Sequence, residues 1–209
     1  RNGAGWYALG RTVHKDESVP LGNQSYTDVQ LFTEALKHSP RHAPSWHRLG
    51  CTVSRGKNIT VNGNVYTQQQ LFIEALKCDP RSAKSWYELG AMLSCGESVT
   101  VNGSVYTQQQ LYAKAVNCDA SNVEALYSLG VIVSPDECIA VDELDSGSMS
   151  KHDLFVQALR HDAKHAHSWH QLGMITSRRR SVFVNGRDFS KKELFVEALT
   201  QNPRLSAVW

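Results

Sequence analysis

Residues 81–120 read RSAKSWYELG AMLSCGESVT VNGSVYTQQQ LYAKAVNCDA, and the fold follows from them. Ala83, Trp86, Leu89, Gly90 and Leu93 fall at helical spacing, which predicts one amphipathic helix entered after Asp79-Pro80. Pro80 suits a first helical turn, where its missing N–H costs nothing. From Ser98 to Tyr106 the residues alternate with β-branched side chains around Asn102-Gly103. Both turn residues accept positive φ, so this run predicts a β-hairpin with a two-residue turn. Thr107-x-x-Gln110 then forms a capping box and opens a second helix through Leu111, Tyr112, Ala115 and Val116. The unit is helix, β-hairpin, helix.

The unit recurs. Trp6-x-x-Leu9-Gly10, Trp46-x-x-Leu49-Gly50, Trp86-x-x-Leu89-Gly90 and Leu126-x-x-Leu129-Gly130 lie 40 residues apart, and Trp169-x-x-Leu172-Gly173 follows after 43. A fixed period of this length predicts a solenoid, in which each unit buries its apolar face against its neighbours. The expected organisation is a single solenoid over 1–209 with repeats 1–40, 41–80, 81–120, 121–163 and 164–203 and the start of a sixth at 204–209. A glycine inside a helix costs about 1 kcal/mol against alanine, so its recurrence after Leu implies a close helix–helix crossing. Asn62-Gly63 and Asn185-Gly186 repeat the turn signal, while the first repeat has Gly22-Asn23. Capping boxes recur at Thr27, Thr67 and Ser190, with Ser150-x-x-Asp153 as a shorter version.

The order Trp-x-x-Leu-Gly, then an aromatic, an Ala three residues on and a Pro five after that resembles the tetratricopeptide repeat. The resemblance covers essentially the whole chain and implies a mainly α fold, a tetratricopeptide-like α-solenoid of about five helix–hairpin–helix repeats. Each repeat is six residues longer than the usual 34, and the excess falls where the hairpin is expected. Gln68 and Gln108 stand where the family pattern has a small residue. In this family the first helix of each pair lines a concave groove for peptides. The resemblance therefore puts Tyr7, His47, Tyr87, Tyr127 and His170 on that groove, either as a ladder of rings for a ligand or as rings packed between adjacent first helices. The positions matching the family's carboxylate clamp are Arg11, Cys51, Ala91, Val131 and Met174, with no Asn, so likeness to chaperone-binding cochaperones stops at the fold.

The hairpins offer a second surface. With a two-residue turn, Val99, Val101 and Tyr106 share one face and Thr100 and Val105 the other. Helix pairs repeat about every 10 Å, the face-to-face spacing of stacked sheets, so Val61, Val99, Val101, Tyr106 and Phe183 are the expected markers of a hairpin ridge. Exposed hairpin edges invite strand addition by another chain; the alternative is a turn that merely covers helix ends. The fourth hairpin is acidic, with Asp136, Glu137, Asp142, Glu143 and Asp145. The fifth is basic, with Arg178, Arg179, Arg180, Arg187, Lys191 and Lys192, and the two would attract each other.

Net charge of +2 gives no global pull toward nucleic acid or anionic membranes, and no apolar run is long enough to cross a bilayer. Cys51, Cys78, Cys95, Cys118 and Cys138 are odd in number and lack CxxC spacing, which favours free thiols and an intracellular setting. Asn23, Asn58 and Asn102 begin glycosylation sequons, whose use would place the protein outside the cytosol. His38-x3-His42-x4-His47 and His161-x3-His165-x4-His170 read as surface histidines rather than a shared metal set, because Cys78 with Ser82 and Cys118 with Asn122 occupy the matching positions. No nucleophile stands beside a base and an orienting partner, and there is no glycine-rich phosphate loop, so neither catalysis nor a cofactor is expected. The expected function is a non-catalytic scaffold with a protein or peptide partner. The alternative is a structural subunit joined head to tail into a filament through the Ala4–Trp6 region and Trp209.

Overall fold

Each repeat folds as its periodicities require: a helix where apolar residues recur at 3.6, strands where they alternate, and a second helix after each capping hydroxyl. The computed structural model of the protein describes residues 2–14, 17–141 and 147–208. The first repeat consists of α1 (Gly3–Gly10), β1 (Ser18–Leu21), β2 (Gln24–Thr27) and α2 (Asp28–His38). The second has α3 (Ala43–Thr52), β3 (Asn58–Val61), β4 (Asn64–Thr67) and α4 (Gln68–Cys78). The third has α5 (Ala83–Met92), β5 (Ser98–Val101), β6 (Ser104–Thr107) and α6 (Gln108–Cys118). The fourth has α7 (Val123–Ile132), β7 (Cys138–Ala140), β8 (Ser148–Ser150) and α8 (Lys151–His161). The fifth has α9 (Ala166–Ile175), β9 (Ser181–Val184), β10 (Arg187–Ser190) and α10 (Lys191–Gln201), followed by a 3₁₀ turn over Pro203–Val208. Two compact units result, residues 1–106 and 107–209. Trp209 and the acidic residues Asp142, Glu143 and Asp145 lie outside the described residues.

The hairpin turns obey their residues. Asn62, Asn102 and Asn185 take φ of +49°, +50° and +50°, and the glycines after them +83°, +83° and +87°, as a type I′ turn demands. In the first repeat only Gly22 is positive, at +62°, which gives a type II′ turn from the reversed pair. The fourth hairpin pairs Cys138 with Ser150 and has a longer connection. All five second helices open with a complete capping box, on Thr27, Thr67, Thr107, Ser150 and Ser190.

Trp46, Trp86 and Trp169 are buried, and each indole Nε1–H donates to a main-chain carbonyl six residues earlier, at Pro40, Pro80 and Ala163, all at 2.8 Å. The acceptor is a backbone group, which is why Ala163 replaces proline without loss of the tie. The recurrent glycine has a more specific reason than a helix–helix crossing. A Cβ on Gly50 would lie 2.6 Å from Cε1 of Phe72, and Gly10, Gly130 and Gly173 meet Phe32, Phe155 and Phe195 at 2.7–2.8 Å in the same way. In these four repeats the aromatic ring of the second helix occupies the space of the missing methyl group. Gln68, standing where the tetratricopeptide pattern has a small residue, donates Nε2–H to the Gly50 carbonyl at 2.8 Å. Lys151 reaches the Val131 and Val133 carbonyls at 3.0 Å, and Lys191 reaches those of Met174 and Thr176 at 3.4 and 3.1 Å. The first residue of these second helices thus satisfies acceptors that the end of the paired first helix leaves open, with favourable charge where it is lysine.

Candidate partner-binding surfaces

The residue after each Trp-position side chain is half-buried in all five repeats: Tyr7, His47, Tyr87, Tyr127 and His170. One side of these rings meets the aromatic of its own second helix, Tyr7 on Phe32 at 5.8 Å, His47 on Phe72 at 5.6 Å, Tyr127 on Phe155 at 6.0 Å and His170 on Phe195 at 5.8 Å. The other side reaches the next first helix. Tyr7 packs edge-on against His42 at 4.9 Å, Tyr127 against His165 at 5.1 Å, and His47 Nδ1 lies 3.1 Å from Ser85 Oγ. Packing between repeats therefore uses one part of each ring and leaves another part facing solvent.

In the first unit a cleft of about 220 Å³ opens on this face, lined among others by Tyr7, His47, Arg48, Asp79, Ser82 and Lys84. Burial, and then the charges of Arg48 and Lys84, push the His47 imidazole down to about 4, so it is neutral at physiological pH. Cys51 is an exposed residue whose Sγ lies 3.5 Å from His47 Nε2, and partial desolvation there, followed by the Glu88 carboxylate, pushes its thiol up. Arg48 and Lys84 are exposed and form no salt bridge among the described residues. The cleft offers two cationic tips, the Asp79 carboxylate and half-open rings, which suits binding.

The hairpins divide differently from their sequence pattern. Val61 and Val101 are fully buried, and Val99 nearly so, because the inner strand face packs on the second helix of the preceding repeat. Tyr106 is half-buried against Trp86, with ring centroids 5.2 Å apart, and Tyr66 and Phe189 meet Trp46 and Trp169 likewise. Of the five ridge markers only Phe183 is open, at 59% exposure, and its company on the outer face is Val65 and Val105 at 62% and 63%. The sequons Asn23, Asn58 and Asn102 are exposed.

Among solved structures, the crystal structure of MamA is 14% identical over 86% of this chain and 90% of that one, with a TM-score of 0.50. YrrB, described as a TPR protein with an unusual peptide-binding site, is 16% identical over 87% of this chain and 81% of its own, with a TM-score of 0.47. This is a tetratricopeptide-like repeat fold. No family model matches the chain. No curated protein matches it either.

Within this tetratricopeptide-like frame, the positions of the family's carboxylate clamp are exposed and present Arg11, Cys51, Ala91, Val131 and Met174. Three residues escaped the sequence reading altogether. Ser45, Ser85 and Ser168, each directly before a Trp, are fully buried, and their hydroxyls pair with His42 Nδ1 at 2.8 Å, Ser82 Oγ at 2.9 Å and His165 Nδ1 at 2.7 Å. The repeated Ser-Trp pair was the available signal. His42 and His165 are thereby helix-entry partners of a buried serine, and burial lowers the pKa of both. Among the described residues no group of three or more His, Cys, Asp or Glu is arranged to hold a metal.

Proposed function

We propose that the protein is a non-catalytic interaction scaffold that holds an extended peptide segment along the face of its first helices. The observation that carries this reading is the cleft on the first unit, where Tyr7 and His47 present half-open rings beside Arg48 and Lys84, which outnumber the one carboxylate there, Asp79. Ring faces take up peptide side chains by stacking, and the cations fix register on an acidic residue. The neutral His47 ring leaves the positive charge of the cleft to Arg48 and Lys84. The test is a peptide array probed with the whole chain, with affinities of the best ligands measured for wild type, Tyr7→Ala and Lys84→Ala. A loss of about tenfold or more in Tyr7→Ala, with a smaller loss in Lys84→Ala, is expected. Ligands indifferent to both substitutions would sink the groove reading.

A second reading, a subunit that associates head to tail, is favoured by one feature. Trp6 is only half-buried, and a cleft of about 280 Å³ lies beside it, lined by Asn2, Gly5, Trp6, Leu9 and Leu21. Its test is whether molar mass depends on concentration.

A further inference from the structure

The turn between first helix and hairpin closes with the same main-chain bond in every repeat, although among the described residues its third residue takes positive φ only at Gly56 and Gly96. Its fourth residue donates N–H to the carbonyl of its first: Glu17 to His14, Lys57 to Ser54, Glu97 to Ser94, Glu137 to Ser134 and Arg180 to Ser177, at 3.0–3.2 Å. In two repeats the fourth side chain returns the bond. Glu97 Oε2 accepts from the Ser94 N–H at 2.8 Å, and Glu137 Oε2 accepts from the Ser134 N–H at 3.4 Å. Glu137 is held from the preceding repeat as well, because Gln109, the second residue of α6, donates Nε2–H to Oε1 at 2.7 Å. The Glu137 carboxylate therefore lies between a backbone N–H of its own turn and a side-chain donor from the helix before.

In the fifth repeat the donor positions survive and the carboxylate does not. Ser177 stands where Ser134 stands, His152 is the second residue of α8 as Gln109 is of α6, and Arg180 replaces Glu137. A cavity of about 590 Å³ opens at this place, lined by His152, Ser177 and Arg180 together with Ser150, Ser181 and an apolar wall from Ile175 and Val182. Among the described residues, none that lines it is acidic. Asp153 lies 3.6 Å from His152, but its other oxygen is committed to the Ser150 capping box at 2.6 and 3.1 Å. Arg178 and Arg179 in the same turn, like Arg180, are exposed and make no salt bridge among the described residues.

We propose that this cavity receives a carboxylate side chain from an acidic peptide segment, which takes the place that Glu137 fills one repeat earlier. The incoming oxygens accept from the Ser177 N–H, the Arg180 guanidinium and the His152 ring, and the Ile175 and Val182 wall covers the aliphatic stem. Charge-assisted bonds from a guanidinium are the strong ones, so Arg180 carries most of the recognition. A polyanion such as nucleic acid is the poorer fit, since the chain's net charge of +2 gives little long-range attraction to a phosphate backbone.

The experiment titrates a fluorescent hexaglutamate peptide, with hexaglutamine as its neutral counterpart, into the whole chain. Arg180→Glu puts a carboxylate back where the neighbouring repeat has one. It is expected to weaken hexaglutamate binding about tenfold or more while the Tm holds or rises. Arg179→Glu makes the same change in net charge and is expected to stay within about threefold of wild type. Lys84→Ala measures what the first-helix cleft contributes to hexaglutamate binding, and the loss brought by Arg180→Glu is expected to persist in the Lys84→Ala background, so this site and the groove are judged separately. Equal losses in Arg179→Glu and Arg180→Glu would reduce the site to diffuse charge attraction and overturn it, as would equal binding of hexaglutamine. A single-stranded oligonucleotide that binds more tightly and is lost with Arg180→Glu would overturn the choice of occupant. Should Arg180→Glu not fold, Arg180→Gln carries the same test, with unchanged affinity as the overturning result.

Discussion

A glycine in the middle of a helix is ordinarily a place where alanine would add stability, by about 1 kcal/mol. At Gly50 the sign should reverse. The methyl group of Gly50→Ala would meet Phe72 Cε1 at 2.6 Å, and that ring is fully buried with no room to retreat. Overpacking of this kind costs about 1–3 kcal/mol. Urea unfolding should show Gly50→Ala less stable than wild type, and Phe72→Leu should absorb part of the loss in a double-mutant cycle. A stabilised Gly50→Ala would mean that the ring is not what keeps the position glycine. At this scale the sequence showed where the special residues are, because a helical glycine at a fixed stride stands out against propensity. It did not show why, since the ring that demands it comes from a helix 22 residues on, counting from Gly50 to Phe72. Ser45, Ser85 and Ser168 were illegible for a similar reason: a small polar residue reads as surface until its buried partner, His42, Ser82 or His165, is known.

Among elements, the hairpins were the most legible in form and the least legible in orientation. Asn-Gly dictates its turn locally, so strands and register follow from a few residues. Which face is buried depends on the preceding second helix, and apolar residues stand on both faces, Val99 and Val101 on one, Val105 on the other. The buried face won Val61, Val99 and Val101, leaving Val65, Val105 and Phe183 in water. The turn asparagine has a second task that its turn propensity conceals. Asn62 Nδ2 donates to the Leu36 carbonyl at 3.3 Å and Asn185 Nδ2 to the Leu159 carbonyl at 2.9 Å, so each hairpin tip satisfies an acceptor in the last turn of the preceding second helix. Asn62→Asp tests this directly. Aspartate tolerates the turn, but it replaces the donor by an anion beside helix C-terminal carbonyls, a change that should cost about 1–2 kcal/mol. Asn62→Gly keeps the positive φ and loses only the bond, so it should fall between wild type and Asn62→Asp in chemical denaturation. Equal stability of all three would show that the hairpin tip does not tie the repeats together.

For the molecule as a whole, the 40-residue stride made the repeat class legible, and the partner was not, because partner choice lies in surface side chains that periodicity does not constrain. One whole-molecule behaviour can still be argued from packing. Trp46, Trp86 and Trp169 are each 4% exposed, whereas Trp6 is half-buried and Leu21 beside it is 45% exposed. On α10, Val196 and Leu199 are 51% and 36% exposed, while Leu36, Leu76 and Leu159, which match Leu199, are fully buried. On the head-to-tail reading, the Trp6 face and the α10 face would meet as consecutive repeats meet within the chain. Joining them between copies is a heterologous contact, which continues rather than closes. If that contact forms, light scattering should give a mass that climbs above 23.3 kDa with concentration and reaches no plateau. Leu21→Glu, placing a charge on the cleft beside Trp6, should return it to the single-chain value. A mass constant at 23.3 kDa over the whole range would mean that both faces tolerate water. The filament reading would then fall, leaving the first-helix cleft and the Arg180 cavity as the surfaces on which to look for partners.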